Sequence, residues 1–233
     1  MIPMPFTVNT VVKNYPKLNK KPIKLDVYTD EEELANTITH GIGALLGLVG
    51  TIILLLKADS TAKTGSFLIF GLSLVNLYTA STLYHAVKSK KRKFLFKKLD
   101  HIGIYLLIAG TFTPFCWGVL GNESLGIQVL IWVWVIAAAG VIFKIFFTGR
   151  FETISLISYI GMGWLGFVMF GRLGELLSAQ AINLMLYGGL CYTGGVVFYL
   201  MRKLKYHHAI WHLFVLAGSG FHFASIYIYV VAY

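Results

Sequence analysis

Seven apolar runs, at residues 37–56, 65–87, 99–120, 124–147, 153–173, 181–201 and 209–231, account for most of this 233-residue chain. Each approaches the ~20 residues that a helix needs to cross the hydrocarbon core of a bilayer. Inside each run the apolar residues are continuous rather than alternating, which excludes barrel strands. Only a helix satisfies its own backbone hydrogen bonds in lipid at this length. Composition points the same way: 13% of the residues are charged, against about 25% in soluble domains. The expected fold is therefore all-α, a bundle of seven transmembrane helices over residues 31–233, preceded by a basic tail over 1–30. The tail has Pro3, Pro5, Pro16 and Pro22 and five lysines but no apolar core, so it does not read as a secretory signal. Short breaks such as "LGNES" and "TGRFET" leave no room for an inserted soluble domain.

Charge orients the bundle. Seventeen of the twenty Lys and Arg residues fall on one side: the tail, the 88–98 loop, Lys144 with Arg150, and Arg202, Lys203 and Lys205. Lys57, Lys63 and Arg172 fall on the other. By the positive-inside rule the N-terminus is cytoplasmic and, after seven crossings, the C-terminus is extracytoplasmic. The net charge of +10 then reads as basic loops facing anionic lipid, with no nucleic-acid motif to suggest another partner. The loop "KSKKRKFLFKK" (88–98) is expected to lie along the inner leaflet. Cys116 and Cys191 sit inside apolar runs and read as small buried hydrophobes. Glycines cluster in the first, fifth and sixth runs, where they would let helices approach closely, and Pro114 should kink the third helix.

Ionisable residues in such spans are costly and usually functional. Glu33, Asn36 and His40 open the first helix, Ser81 and His85 close the second, Asp100 and His101 open the third, and His207, His208 and His212 open the seventh. The topology places all of them at the cytoplasmic depth. His208 and His212 are spaced i and i+4, on one helix face, as are Ser81 and His85. An i, i+4 histidine pair is by itself a weak signal, because interfacial histidines also serve as hydrogen-bonded helix ends. With His85 from a second helix it supplies three ligands of a tetrahedral zinc site, the fourth position going to water, with Ser81 and Asp100 beside it. A metalloprotease helix is excluded, since Ala209 and not Glu follows His208. Glu33, Asn36 and His40 fall on one face and read as supports for the ligands, a cap network or substrate contacts. His207, off the ligand face, reads as a loop or headgroup contact. His222, roughly 21 Å along the helix from His208, reads as an interhelical hydrogen-bonding residue too deep to share the site.

The segments "EELANTITHGIGALLG", "STLYH", "KLDHIGIYLLIAGTFTP" and "HHAIWHLFVLAGSGFHF" resemble the hemolysin III proteins of bacteria. These are a branch of the progestin and adipoQ receptor family, which includes the adiponectin receptors and is related to alkaline ceramidases. The likeness runs from about residue 31 to the end. It implies a Zn2+ held by His85, His208 and His212 near the cytoplasmic face, Ser81 and Asp100 next to the water there, and a multi-pass protein of the bacterial plasma membrane. The long N-terminal region of the eukaryotic receptors has no counterpart, so hormone reception is not carried over. Three functions follow as expectations. The first is a zinc-dependent hydrolase of lipid amides or esters in membrane-lipid homeostasis, with Asp100 as general base, Ser81 orienting, and membrane lipids as partners entering from the bilayer. The second is a cytolysin that permeabilises membranes. The third is a signalling receptor with structural zinc.

Overall fold

The computed structural model describes residues 25–230, with side chains through Ile228. Most of the basic tail expected over 1–30 thus lies outside the described residues, as does the chain beyond 230. Seven helices are long and apolar enough to cross a membrane: α1 (Asp30–Leu56), α2 (Thr61–Ala86), α3 (Lys90–Val119), α4 (Ser124–Phe147), α5 (Glu152–Leu176), α6 (Ala179–Leu200) and α7 (His207–Ile228). No strand occurs among the described residues.

Local chemistry explains where these helices begin. α1 opens on a capping box: the Thr29 side chain accepts from the Glu32 N–H at 3.2 Å, and the Glu32 carboxylate accepts from the Thr29 N–H at 2.9 Å. Four acidic residues, Asp30 to Glu33, fill its first turn and complement the helix dipole. Ser60 and Ser178 cap α2 and α6 through their hydroxyls. α7 follows Tyr206, whose φ of 59° lies in the left-handed region, a conformation that costs a non-glycine residue roughly 1–2 kcal/mol. The Tyr206 N–H donates to Glu32 Oε1 at 3.1 Å, so one carboxylate both caps the first helix and pins the start of the last.

Two expectations are corrected, and the irregularity expected at Pro114 takes a definite form. α3 begins at Lys90, so most of the 88–98 segment is its first turns, not a surface loop. The cations of that segment divide: Lys97 is buried and pairs with Asp26 at 2.7 Å, whereas Lys98 reaches the Ile145 carbonyl at 2.9 Å. At Pro114 the helix continues as a π-helical turn, Pro114–Val119, closed by the Leu120 N–H on the Phe115 carbonyl at 3.0 Å. A wider turn accommodates the donor that proline lacks. Two of the three glycines expected to mediate packing in the fifth helix do not: a Cβ on Gly161 or Gly163 would meet nothing within 4 Å, whereas one on Gly166 would lie 3.4 Å from the Phe112 ring of α3. In α1 the reading holds, since a Cβ on Gly43 would lie 2.7 Å from Leu216 Cδ2 of α7.

Packing is uneven around the bundle. α1 lies against α2 and α7, α2 against α3, α3 against α4, and α6 against α7, while α5 touches its neighbours sparsely and is interrupted at Leu165–Gly166. The space left inside α5 is a cavity walled by α3, α5, α6 and α7. At the end of the bundle opposite the basic loops, Arg172 binds the Glu123 carboxylate at 2.8 and 3.0 Å and also contacts Glu175, tying α5 to the α3–α4 turn.

Candidate metal centre

Helix ends from opposite parts of the sequence meet at the basic end of the bundle. His85 closes α2, and His208 and His212 line the first turns of α7. Each offers one ring nitrogen, and the three nitrogens lie within 4.8 Å of one another. All three residues are buried.

The hydrogen bonds around the cluster assign the protons. Thr39 Oγ1 of α1 gives its own proton to the carbonyls of Ala35 or Asn36, at 2.9 and 3.0 Å. It can therefore only accept from His212 Nδ1, 3.0 Å away. His85 Nδ1 lies 2.7 Å from Glu33 Oε2, a carboxylate that accepts and cannot donate, and 3.3 Å from the Asn36 amide. Both rings thus hold their proton on Nδ1, leaving the Nε2 lone pair free for a cation. His85 Nε2 and His208 Nδ1 are buried and find no hydrogen-bond partner among the described residues. Buried polar atoms are normally paired, so unpaired nitrogens converging on one point are a donor set that fits a metal ion. An acceptor behind a ligating imidazole is the usual arrangement for fixing its tautomer and aim.

Each residue singled out from the sequence has a place here. Glu33 and Asn36 face His85, and Glu33 also binds Lys93 Nζ at 2.7 Å. His40 stacks on His212, with ring centroids 3.4 Å apart and planes at 11°. Asp100 borders the cavity together with His40, His208 and His212 but stands outside the compact three-histidine group. Ser81 is fully buried beside Asp100, behind the cavity wall, and its hydroxyl makes no regular hydrogen bond among the described residues. His101 turns to Glu152, 3.5 Å away, and Glu152 also binds the buried Lys144 at 2.9 Å.

Two readings are corrected. His207 is buried against Tyr28, with centroids 5.9 Å apart, rather than in a loop at the headgroups, because helix α7 already starts at this residue. His222 borders the same cavity as His208 and His212, and its Nδ1 has no hydrogen-bond partner among the described residues, so it is not a satisfied interhelical contact.

The structure also adds residues that the sequence did not single out. Thr39 is one; nothing in its spacing distinguishes it from any helical threonine. Tyr28 is another: its ring covers His85, His207 and His208 at 5.7, 5.9 and 5.2 Å. The segment before α1 is held by Asp26, which accepts from Lys97 Nζ at 2.7 Å and from the Tyr84 hydroxyl at 3.3 Å. Burial pushes the Asp26 carboxyl up, but the Lys97 ammonium more than offsets this and holds it below its ordinary range.

A family model described as "Haemolysin-III related" matches residues 28–223. The chain belongs to this family. The match starts at Tyr28 and encloses the whole histidine cluster and the cavity as far as His222. Among the relatives of this haemolysin-III related chain, "Hemolysin-3" of Bacillus cereus is 45% identical over 204 residues, covering 86% of this chain and 93% of the relative. "Hemolysin-3 homolog" of Bacillus subtilis (strain 168) is 43% identical over 208 residues, covering 88% and 97%. The human "Monocyte to macrophage differentiation factor" is 28% identical over 208 residues, covering 85% and 84%. Family membership together with seven spanning helices makes this a multi-pass membrane protein.

Proposed function

We propose that this haemolysin-III related protein is a zinc-dependent hydrolase of a lipid amide or ester, working at the cytoplasmic end of the bundle in membrane-lipid homeostasis. One observation carries the reading: ring nitrogens of three buried imidazoles converge within 4.8 Å, those of His85 and His208 unpaired among the described residues, and His208 and His212 border an apolar cavity that Asp100 also borders. Orientation rests on the Lys and Arg asymmetry between the two ends.

His85, His208 and His212 would hold the ion, with Glu33 and Thr39 aiming the first and last of them. Zn2+ in such a set is a Lewis acid that polarises a carbonyl and makes water more acidic. The acyl chain lies in the cavity, among Ile104, Ile108, Phe112, Met169 and Met185, so hydrocarbon leaves lipid for an equally apolar wall. An Asp100 carboxylate oxygen takes a proton from water as its oxygen attacks the acyl carbon. The same Asp100 oxygen returns the proton to the leaving nitrogen or oxygen as the carbon–heteroatom bond breaks. Ser81, buried next to Asp100, supplies a hydroxyl that can turn to that carboxyl as it takes up and releases the proton.

The test is metal content and lipid composition together. Purified wild type should carry about one zinc per chain, and the lipid profile of a deletion strain should be restored by wild type but not by His212→Ala. Zinc bound with no lipid change in the deletion strain would favour a receptor with structural zinc. The names of the Bacillus relatives favour a second reading, membrane permeabilisation. That reading requires purified protein added from outside to lyse cells, which a resident seven-span protein is not expected to do. A reporter fused after Tyr233 should be extracytoplasmic and one within 88–98 cytoplasmic; the reverse would move the site to the outer face.

A further inference from the structure

His222 lies ten residues beyond His212 on the same helix, about 15 Å deeper at 1.5 Å per residue, and borders the same cavity. The other polar groups around it are occupied. The Tyr192 hydroxyl pairs with Ser219 Oγ at 2.8 Å, and the Tyr78 hydroxyl donates to that same oxygen at 2.6 Å. Thr193 Oγ1 donates to the Gly189 carbonyl at 2.9 Å and accepts from Trp164 Nε1 at 3.1 Å. Thr111 Oγ1 donates to the Leu107 carbonyl at 2.8 Å. The His222 ring is stacked on Tyr192 at 5.7 Å and 18°. It is seated against a glycine: a Cβ at Gly188 would come within 2.6 Å of its Nε2. Its Nδ1 is buried without a partner among the described residues. The fold therefore makes room for an imidazole in hydrocarbon surroundings and gives it nothing to bond.

An unmet imidazole at such a site costs free energy. Water would relieve it poorly, because a buried water needs two to four polar partners and the neighbours are already engaged. A hydroxyl on a hydrocarbon chain meets the requirement better. Its flanks match the apolar walls, and being both donor and acceptor it pairs with either tautomer of the ring. With ~1.5 Å C–C bonds at near-tetrahedral angles, an extended chain advances about 1.25 Å per carbon. The depth of His222 then corresponds to about a dozen carbons from a carbonyl held at the histidine cluster.

We propose that His222 is a specificity-determining residue that selects lipid chains bearing a mid-chain hydroxyl, at about the twelfth carbon from the reacting carbonyl. The inference rests on the reading of the cavity as the acyl-chain site. Trp164 and Trp211 line the cavity and provide an intrinsic fluorescence signal. The detergent-solubilised full chain is titrated with stearate, 12-hydroxystearate and 2-hydroxystearate. Wild type should bind 12-hydroxystearate about ten-fold more tightly than stearate, the gain from one otherwise unmet hydrogen bond, with 2-hydroxystearate showing no dependence on His222. His222→Phe should abolish the preference and leave stearate binding intact, which also reports that the variant is folded; His222→Gln should keep part of it. Equal affinity for stearate and 12-hydroxystearate in wild type, or a preference that persists in His222→Phe, overturns the assignment while leaving the cavity reading in place. Failure of all three probes to bind overturns both.

Discussion

His212 and His222 are carried by one helix and border one cavity, yet they are built differently. His212 has its Nδ1 committed to Thr39 of α1, and its neighbour His85 is held in the same way by Glu33. His222 has an aromatic floor and a glycine recess, but no acceptor stands behind its ring. An imidazole whose rear nitrogen is already bonded presents one lone pair in a fixed direction, as a cation requires. An imidazole whose Nδ1 is buried and uncommitted is adaptable and suits a ligand that brings its own donor or acceptor. What stands behind the ring, more than the ring itself, separates the two sites.

The strongest way to break this contrast is to remove the rings. His85→Ala or His212→Ala should abolish zinc binding, whereas His222→Ala should retain about one zinc per chain; elemental analysis of the four purified proteins decides it, and equal metal in all would remove the distinction. Next in size is Asp100→Asn. The three imidazoles still bind the ion, so zinc stays, while lipid turnover or rescue of membrane composition should fall by roughly 10²–10⁴-fold, the usual contribution of a general acid–base group. Full rescue by this variant would make the metal structural. Removing only the acceptor is a finer cut: Glu33→Gln should weaken metal affinity by about 10–100-fold, read by competition with a zinc chelator. The same change has no counterpart at His222, where there is no acceptor to remove.

The smallest expected effect concerns Asp26. Its folded carboxyl is held below its ordinary value of 3.8 by Lys97. A depressed carboxylate contributes stability that is complete above the unfolded value and disappears as pH falls through the folded one. Asp26→Asn should therefore lower stability near neutral pH by about 1 kcal/mol, since the carboxylate is partly exposed and screened. It should also flatten the loss of stability seen on acidification below roughly pH 4. Thermal melting across pH reads both.

Much of the site could be read from residue types because its depth follows from chain order. His85 and His208 fall at helix ends, and alternate crossings bring those ends to one side; Asp100, expected to open the third helix, instead lies about three turns inside it because α3 already starts at Lys90. The i, i+4 spacing of His208 and His212 then supplies a common face. What escaped the sequence depends on rotation of one helix against another. Thr39 is recognisable only once α1 and α7 are seen to touch through Gly43. Tyr28 precedes the first apolar run in a segment without periodicity. Lys97 looks like any cation of a basic loop until Asp26 is found opposite it. The depth of His222 alone suggests an interhelical hydrogen bond, but its Nδ1 finds no partner among the described residues, and the hydroxyls of Tyr192, Ser219 and Thr193 bond to other groups.

The Glu32 carboxylate that joins the start of α1 to the start of α7 spans nearly the whole length of the polypeptide, and this has a consequence for biosynthesis. The ribosome delivers α1 first and α7 last. Until α7 has entered the membrane, Thr39 and Glu32 lack their partners at its start, and His85 stands without His208 and His212. The three-histidine cluster cannot assemble on the growing chain, then, and under the proposed reading an ion would be acquired only after α7 has been made. A chain that stops before residue 207 keeps six helices that can insert but loses the segment that completes the centre, so metal loading would report that the whole chain has been made.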